Sequence, residues 1–211
     1  MPIKEPSTKR TIAFFDGQNL FRSAKDAFGY NYPNYDPKAL ATKICEKNNW
    51  QLEQVRFYTG IPTPIQSESW YSFWKAKLGA LGHKGIYVFS RSLRSRTKII
   101  KLPDGSELNV HTEVEKGVDV RIAIDMVRMA YRNQYDVALL FSQDQDFSEV
   151  ADDIRLLAQE ENRWIKIASA FPKKITGKTY GIKNTDWISI DRQMYDSCLD
   201  PKDYRPKEGK K

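Results

Sequence analysis

The amino-acid sequence predicts an α/β fold in which a largely parallel sheet is covered by helices on both faces. Short apolar segments rich in β-branched and aromatic residues alternate with longer segments of helical spacing, which is the pattern of strand–helix–strand units. The chain has 211 residues, of which 40% are hydrophobic, so it is long enough for one full core and short for two. We expect a single domain over residues 11–198, after a flexible lead-in at 1–10 and before a charged tail at 199–211.

Strands are predicted where a short apolar run ends at turn-forming or polar residues. The clearest are residues 11–15 and 137–141, which are non-polar or β-branched throughout, as strands buried on both faces are. Strand-like composition also marks four further segments in the alternating pattern. The predicted strands of the sheet are residues 11–15, 54–59, 85–89, 137–141, 164–168 and 187–190.

Helices are predicted between these strands from apolar spacing and from capping residues. Asp36 followed by Pro37 is a favoured pair of N-cap and first helical residue. Apolar residues at helical spacing between Trp70 and Leu81 predict a later helix, and the segment around Asp119 is apolar nearly all round, as in a buried helix. The predicted helices are residues 19–28, 37–47, 67–81, 116–131 and 146–159, with a short helix after the last strand.

A β-hairpin is predicted as an insertion into this alternating pattern. Residues 97–102 and 107–112 have extended character, and the Pro-Asp-Gly-Ser sequence at 103–106 between them has strong turn chemistry. We therefore expect the two segments to pair with each other, outside the run of strands and helices.

Basic residues are concentrated in and before the predicted hairpin. Arg91, Arg94, Arg96, Lys98 and Lys101 fall within eleven residues that contain no acidic residue. Such a run can follow a phosphate backbone, and we predict Arg91, Arg94, Arg96 and Lys98 as nucleic-acid-binding residues. The alternative is a solvated edge hairpin whose charges prevent edge-to-edge aggregation.

Composition narrows the classes of function. The formal net charge of +7, with a sequence pI of about 9.2, favours an anionic partner, most simply a nucleic acid. With only Cys45 and Cys198, a disulfide scaffold and a cysteine-based zinc site are both excluded. We expect a cytoplasmic protein, because the sequence has no secretory signal pattern and no apolar stretch of about 18 residues that could span a membrane. A homodimer is compatible with the many aromatic residues, but no pattern requires one.

Carboxylates stand where predicted strands or turns lead into helices. Asp16 follows the strand at 11–15, Asp144 and Asp146 follow the strand at 137–141, and Asp119 opens the buried helix. Ligands bind at the carboxyl ends of parallel strands, and carboxylates gathered there would hold a hard divalent cation. Two carboxylates as close as Asp144 and Asp146 repel each other, and a cation would turn that repulsion into attraction.

Each of these residues also has a structural interpretation. Asp16 can belong to an Asp-Gly turn or cap the next helix, and Asn19 is itself a good N-cap. Asp146, three residues before Glu149, resembles a capping box, which leaves Asp144 as the better ligand candidate. Asp119 can complement the helix dipole.

Lys116 and Asp125 lie on either side of Asp119 in the sequence, and only Lys116 is a candidate for the site. Lys116, just before this helix, can meet a phosphate or be a solvated flank. Asp125 lies six residues after Asp119, about 600° around the helix, so we expect it to face elsewhere and leave it out of the site.

Together and in this order, the motifs resemble a known family. Asp-Gly-Gln-Asn at 16–19, Lys-Gly-Val-Asp at 116–119 and Ser-Gln-Asp-Gln-Asp-Phe at 142–147 are similar to motifs of the NYN domain family of PIN-like nucleases, and the LabA-like (DUF88) branch is the most similar. The resemblance covers residues 11–168. It implies a PIN-like (Rossmann-like) three-layer α/β/α sandwich and metal-dependent hydrolysis of phosphodiester bonds.

The resemblance also assigns roles to residues of this chain. It implies an acidic, metal-binding and catalytic cluster of Asp16, Asp119, Asp144 and Asp146. Asn19 is implied as a supporting residue, and the motif residues Ser142 and Lys116 are counted with it as supporting residues. The departure from the family pattern is Gln143, where the family commonly has a small residue; a longer side chain there would narrow the site or move its loop.

The resulting functional hypothesis is a ribonuclease that uses Mg²⁺ or Mn²⁺ and acts on RNA, with single-stranded DNA as a second substrate. No histidine is needed, and His83 and His111 are interpreted as structural or solvated. The alternative is an RNA-binding or regulatory PIN-like module without turnover. A haloacid-dehalogenase-type phosphatase is disfavoured because Gln18 occupies the position of its second Asp, and no nucleotide-binding P-loop sequence is present.

Overall fold

Six parallel strands form the central sheet of the protein, in a computed structural model that describes residues 3–101, 106–174 and 176–206. The strands, with the two of the hairpin, are β1 Arg10–Asp16, β2 Gln51–Ile61, β3 Tyr87–Ser92, β4 Arg94–Lys101, β5 Glu107–Val114, β6 Val137–Phe141, β7 Lys166–Pro172 and β8 Asp186–Ile190. The sheet order is β3-β2-β1-β6-β7-β8. The order therefore reverses between β1 and β6, and a ligand crevice is expected where their carboxyl ends diverge.

Helices cover both faces of this sheet. They are α1 Gly17–Phe28, α2 Pro37–Lys47, α3 Glu68–His83, α4 Val118–Tyr131, α5 Phe147–Glu160 and α6 Arg192–Asp196. One buried apolar cluster joins the sheet to α1, α2, α3 and α6, and a second joins it to α4 and α5. The three-layer α/β/α sandwich with a mainly parallel sheet is confirmed.

The predicted elements are all present, with ends that differ by a few residues. The start of α4 differs for a clear reason. We predicted this helix from residue 116, but it begins at Val118, because Gly117 takes a left-handed conformation with φ of 77°. Lys116 therefore precedes the helix.

The inserted hairpin is confirmed as a separate two-stranded sheet. Strands β4 and β5 pair antiparallel over their full length, from Arg94 opposite Val114 to Lys101 opposite Glu107. Residues 102–105, which include most of the predicted turn, lie outside the described part of the chain. Strand β5 leads through Glu115 into α4, so the base of the hairpin lies at the start of that helix.

The segment after α6 packs back onto the domain. Lys77 of α3 is fully buried; its ammonium donates to the carbonyl oxygen of Tyr35 at 3.0 Å and pairs with the buried Asp200 carboxylate at 3.4 Å. Burial lowers the pKa of Lys77, and the Asp200 carboxylate opposes that shift. The buried ring of Tyr204 meets Phe73 edge-on.

Over the described residues, no helix is both long enough and apolar enough to cross a membrane.

Candidate functional site

A polar cavity of about 230 Å³ opens at the carboxyl ends of β1 and β6, where the sheet order reverses. Asp16 is the last residue of β1, Asp144 follows β6, and Asp119 lies in the first turn of α4. The cavity is lined by Asp16, Gln18, Asn19, Arg22, Glu113, Val114, Glu115, Asp119 and Asp144. Three of the four predicted acidic residues thus share one cavity.

Asp16 is held in one orientation by two hydrogen bonds. Its Oδ1 accepts from the backbone N–H of Asn19 at 3.1 Å, so it caps α1 as well as lining the cavity. Its Oδ2 accepts from the hydroxyl of Ser142 at 3.3 Å. Burial raises the pKa of Asp16 to about 6; these hydrogen bonds oppose that shift, and the Asp144 carboxylate adds to it. No cationic side chain in the described residues pairs directly with Asp16.

Asn19 and Ser142, two of the three predicted supporting residues, fix the loop that carries Asp144. The Asn19 side-chain oxygen accepts from the backbone N–H of Gln143 at 2.9 Å, and the Ser142 Oγ accepts from the N–H of Asp144 at 3.2 Å. The Gln143 side chain donates to the carbonyl oxygen of Tyr180 at 2.7 Å and does not line the cavity. The long side chain at position 143 therefore anchors a neighbouring segment instead of narrowing the site.

Glu113 and Glu115 also line the cavity, and sequence reasoning missed both. Glu115 accepts a hydrogen bond from the backbone N–H of Gly60 at the end of β2. Burial raises the pKa of Glu115 to about 7, and the Asp16 carboxylate adds to the shift. The position of Glu115 directly before the Lys-Gly-Val-Asp motif was a usable signal, but only the folded hairpin shows that this segment returns to the site.

Glu115 reaches Gly60 because that position has no side chain. A Cβ built on Gly60 would lie 2.5 Å from Cδ2 of Leu93 and 2.6 Å from Oε2 of Glu115. The absence of a side chain at Gly60 therefore leaves room for both the Glu115 carboxylate and the side chain of Leu93, which precedes β4 at the base of the hairpin.

Two predicted site residues, Asp146 and Lys116, lie apart from the cavity lining, and so does Asp125, which we left out of the site. Asp146 is exposed, and its backbone N–H donates to Oδ1 of Asp144 at 3.1 Å. Its side chain makes no capping hydrogen bond, so the capping-box interpretation is wrong. Lys116 is exposed and does not line the cavity either. Asp125 is buried among Arg56, Tyr58 and Arg121, which confirms that it faces away from the site.

The predicted basic residues extend from the cavity along the hairpin. The guanidinium of Arg91 lies beside Gly117 at the start of α4. A Cβ built on Gly117 would be only 2.6 Å from Nη1 of Arg91. Arg94 lies opposite Val114, a residue of the cavity wall, and Arg96 lies two residue pairs farther along β4, on the same face of the strand. Lys98 follows in the same strand. Arg94, Arg96 and Lys98 thus follow one another along β4, starting from the residue that pairs with Val114.

The donor atoms of the cavity suit a hard divalent cation. The acidic side chains that line it offer carboxylate oxygens, with neither histidine nor cysteine among them, which favours Mg²⁺ or Mn²⁺ over zinc. Within the described residues, no group of three or more acidic, histidine or cysteine side chains is close enough to enclose a metal ion. Mg²⁺ does not require such a cage, since it commonly takes one or two carboxylates together with waters and phosphate oxygens.

Comparison with known proteins gives the family and agrees with the fold. A family model described as the NYN domain matches residues 10–160, a span that includes all the predicted acidic residues. A protein of unknown function from Vibrio parahaemolyticus has a similar crystal structure, with a TM-score of 0.54, 18% identity, and coverage of 90% of this chain and 97% of that one. MurG from Acinetobacter baumannii matches less well, with a TM-score of 0.31 and 11% identity over 86% of this chain and 45% of MurG. No curated protein matches the chain.

Proposed function

The chain belongs to the NYN domain family, a PIN-like family of nuclease type, and from that premise we propose that it is a metal-dependent nuclease acting mainly on RNA. The observation that carries the proposal is the group of carboxylates around one cavity at the point where the sheet order reverses. Such a concentration of negative charge is unfavourable without a cation. The assignment to the LabA-like branch stays a prediction.

We assign the cation to Asp16, Asp119 and Asp144, with Glu115 as a further oxygen donor. Asp16 and Asp144 are fixed relative to each other, because the Ser142 hydroxyl donates to one and accepts from the backbone of the other. A bound divalent cation would supply positive charge beside the scissile phosphate and would favour ionisation of a water nucleophile.

The remaining polar groups would orient the substrate. Asn19 holds the loop after β6 through the N–H of Gln143 and so keeps the Asp144 backbone in place. Arg22 lines the same cavity and lowers the pKa of both Asp16 and Glu115, so its guanidinium lies close enough to face a phosphate bound there. Asp146, outside the cavity lining, is a weaker candidate that the following experiment separates from Asp144.

The test is a cleavage assay with two neighbouring Asp variants. Purified protein is incubated with labelled single-stranded RNA, structured RNA and single-stranded DNA, with Mg²⁺ or Mn²⁺ and then with chelator. We expect cleavage of RNA that chelator abolishes and that Asp144→Asn reduces by about 100-fold or more, since even residues that only support a metal ligand change activity by roughly 10- to 100-fold. Asp146→Asn is the matched variant, and we expect a smaller loss from it.

Two results would contradict the proposal in different ways. Cleavage that survives both the chelator and Asp144→Asn would exclude the metal site as its source. Intact substrates under every condition, together with tight RNA binding, would favour the alternative of an RNA-binding or regulatory module without turnover.

A further inference from the structure

An aromatic groove continues directly from the carboxylate cavity. It has a volume of about 190 Å³ and lies between α1, α3 and the base of the hairpin. Gln18 and Glu113 belong to the walls of both cavities, so the groove and the carboxylate cavity are neighbours that share an edge. The rest of its lining is largely apolar: Phe21, Pro62, Ser67, Trp70, Trp74 and Leu93.

Trp70 is the central residue of this groove. It lies in the first turn of α3, which Ser67 caps by accepting the Trp70 backbone N–H, and 37% of Trp70 is exposed. Its ring packs against Phe21 at 6.4 Å and edge-on against the buried Phe73 at 5.3 Å. The indole is therefore supported from the protein side while part of its surface faces solvent.

The groove continues beyond Trp70 into a second cavity of about 260 Å³. Trp70 belongs to the walls of both, and the second also contains Tyr32 and Arg205. The Arg205 guanidinium lies 4.1 Å from the centre of the Tyr32 ring. The three cavities therefore adjoin one another through shared residues, with Gln18 and Glu113 between the first two and Trp70 between the groove and the second cavity.

We propose that this groove is a base-stacking subsite for single-stranded nucleic acid, with Trp70 as its main platform; the inference rests on the proposed nuclease function. Stacking on an aromatic side chain requires an unpaired base, since a duplex keeps the faces of its bases covered. A strand whose phosphate occupies the carboxylate cavity would place its neighbouring bases over Phe21 and Trp70. This is a binding role, distinct from the acidic residues that hold the cation.

The charges around the groove fit the same occupant. Arg22 lines the carboxylate cavity at one end, is exposed, and forms no ion pair with another described residue. Arg205 marks the other end, where its only ion pair in the described chain is with the exposed Asp203. A polyanion with flat apolar bases complements two cations separated by aromatic rings better than a wholly apolar partner does.

Two neighbouring tyrosines are excluded as stacking platforms by their packing. Tyr35 is fully buried, and the Tyr30 ring stacks on Tyr195 at 5.4 Å while its hydroxyl donates to Asp196. Both residues pack the loop before α2 in place. Among the tyrosines of this loop, only Tyr32 lines the second cavity, which adjoins the groove at Trp70.

The test measures binding of labelled single-stranded RNA by fluorescence anisotropy, in chelator and again with Ca²⁺. We expect Trp70→Ala to weaken binding by about 5- to 150-fold, since one base–aromatic stack contributes about 1–3 kcal/mol, and Trp70→Phe to restore much of it. Tyr131→Ala is the control, because Tyr131 is 62% exposed at the opposite end of α4, about 18 Å along the helix from Asp119. Duplex RNA of the same sequence should bind more weakly and should not respond to Trp70.

An abasic probe makes the result independent of whether the variants fold fully. Removing single bases from the RNA in turn should reduce binding to the wild-type protein at one or two positions, and Trp70→Ala should cost nothing further on those probes. Equal binding of every abasic probe would overturn the proposal, as would a Trp70→Ala loss that is the same with and without the base. Failure of the wild-type protein to bind any single strand would also overturn it.

Failure of the stacking subsite can be distinguished from failure of the proposed nuclease function. Metal-dependent cleavage by the wild-type protein that Trp70→Ala leaves unchanged would remove the stacking subsite and keep the nuclease. Base-dependent binding through Trp70 without cleavage in any metal would keep the subsite and remove the nuclease.

Discussion

Two buried aspartates, Asp16 and Asp125, have nearly the same exposure, 6% and 3%, and opposite electrostatic surroundings. The Asp125 carboxylate accepts from the guanidinium of Arg56 at 2.9 Å, from the hydroxyl of Tyr58 at 2.8 Å and from Arg121 at 2.9 Å. Those partners lower its pKa, even though burial alone would raise it. Asp16 has two neutral donors and faces other carboxylates, and burial raises its pKa to about 6.

The difference separates a carboxylate that holds the fold from one that is available to a ligand. Around Asp125 the positive charge is part of the protein, so the ion-pair network is complete without any partner. Around Asp16 the protein supplies the charge of Arg22, which lowers the pKa of Asp16 and Glu115, but no cationic side chain of the described residues forms an ion pair with either carboxylate, and desolvation makes that arrangement costly. Perturbed carboxylates of the second kind are typical of functional sites.

The largest effect we expect on stability is at Asp125. Asp125→Ala leaves the buried Arg56 guanidinium without its acidic partner and should lower the free energy of unfolding by about 3–5 kcal/mol. Asp16→Asn should cost far less in metal-free protein, because it removes a carboxylate from a repulsive group. Urea unfolding of both variants in chelator measures the contrast.

The matched control is Tyr58→Phe, which removes one donor to Asp125 and leaves the Arg56 ion pair in place. It should cost about 1–3 kcal/mol, since the Asp125 carboxylate and the Nε–H of Arg56 each lose one hydrogen-bond partner. Equal losses for Asp125→Ala and Asp16→Asn would show that the two carboxylates do not differ as proposed.

The pH dependence of stability should also differ between the two residues. The Asp16 pKa is about 6 in the folded protein against an ordinary value of 3.8, so the folded state binds more protons between those values. Its contribution is therefore fully present below pH of about 4 and is lost as pH rises through about 6, a change of about 3 kcal/mol. The lowered pKa of Asp125 has the opposite sign: its contribution is present above about pH 4 and is lost as pH falls through the folded value.

Unfolding free energies of metal-free wild type and Asp16→Asn, measured from pH 4 to 7, isolate this contribution. We expect the stability of the wild type to fall relative to the variant as pH rises. Two curves that stay parallel across this range would mean that Asp16 titrates normally in the folded protein.

A smaller effect is expected where the backbone holds Glu115. In Gly60→Ala the new methyl group would collide with Leu93 and with the Glu115 carboxylate, so the hairpin base must shift at a cost of roughly 1–3 kcal/mol. Gly79→Ala in the interior of α3 is the control, because nothing lies within 4 Å of its Cβ position. That change should stabilise the protein by roughly 1 kcal/mol. Thermal unfolding of both proteins decides the point, and a neutral Gly60→Ala would show that this contact relaxes easily.

The sequence predicted which aspartates lie in the site where their placement depends only on local pattern. Asp16 and Asp144 were recognisable because each directly follows a buried strand, and parallel strands bring their carboxyl ends to one edge. Asp125 was set aside correctly because helical geometry alone turns it away from Asp119. Its partners Arg56 and Tyr58 could not be predicted, since they come from β2, far away in the sequence.

Two residues, Glu115 and Trp70, could not be assigned to the site from the sequence. Glu115 enters the site only because β5 returns beside the end of β2, and no local pattern encodes that approach. Trp70 has the spacing of a core residue in α3, and its sequence position gives no sign that it is partly exposed beside the cavity. Both residues are positioned by contacts between distant segments.

The hairpin arginines provide the smallest and most specific test of the contrast between fixed and available charge. Arg91, Arg94 and Arg96 are exposed, so replacing all three with Ala should leave stability nearly unchanged. If each meets a phosphate of a single strand, the salt dependence of RNA binding should flatten by about 0.7 per contact, or roughly 2 in total. Removing the same charge from the far side of the molecule, in Arg128, Arg132 and Arg155→Ala, should change the slope much less. An unchanged slope in the hairpin variant would assign these arginines to keeping an exposed β-ribbon from pairing with other chains, as edge charges do.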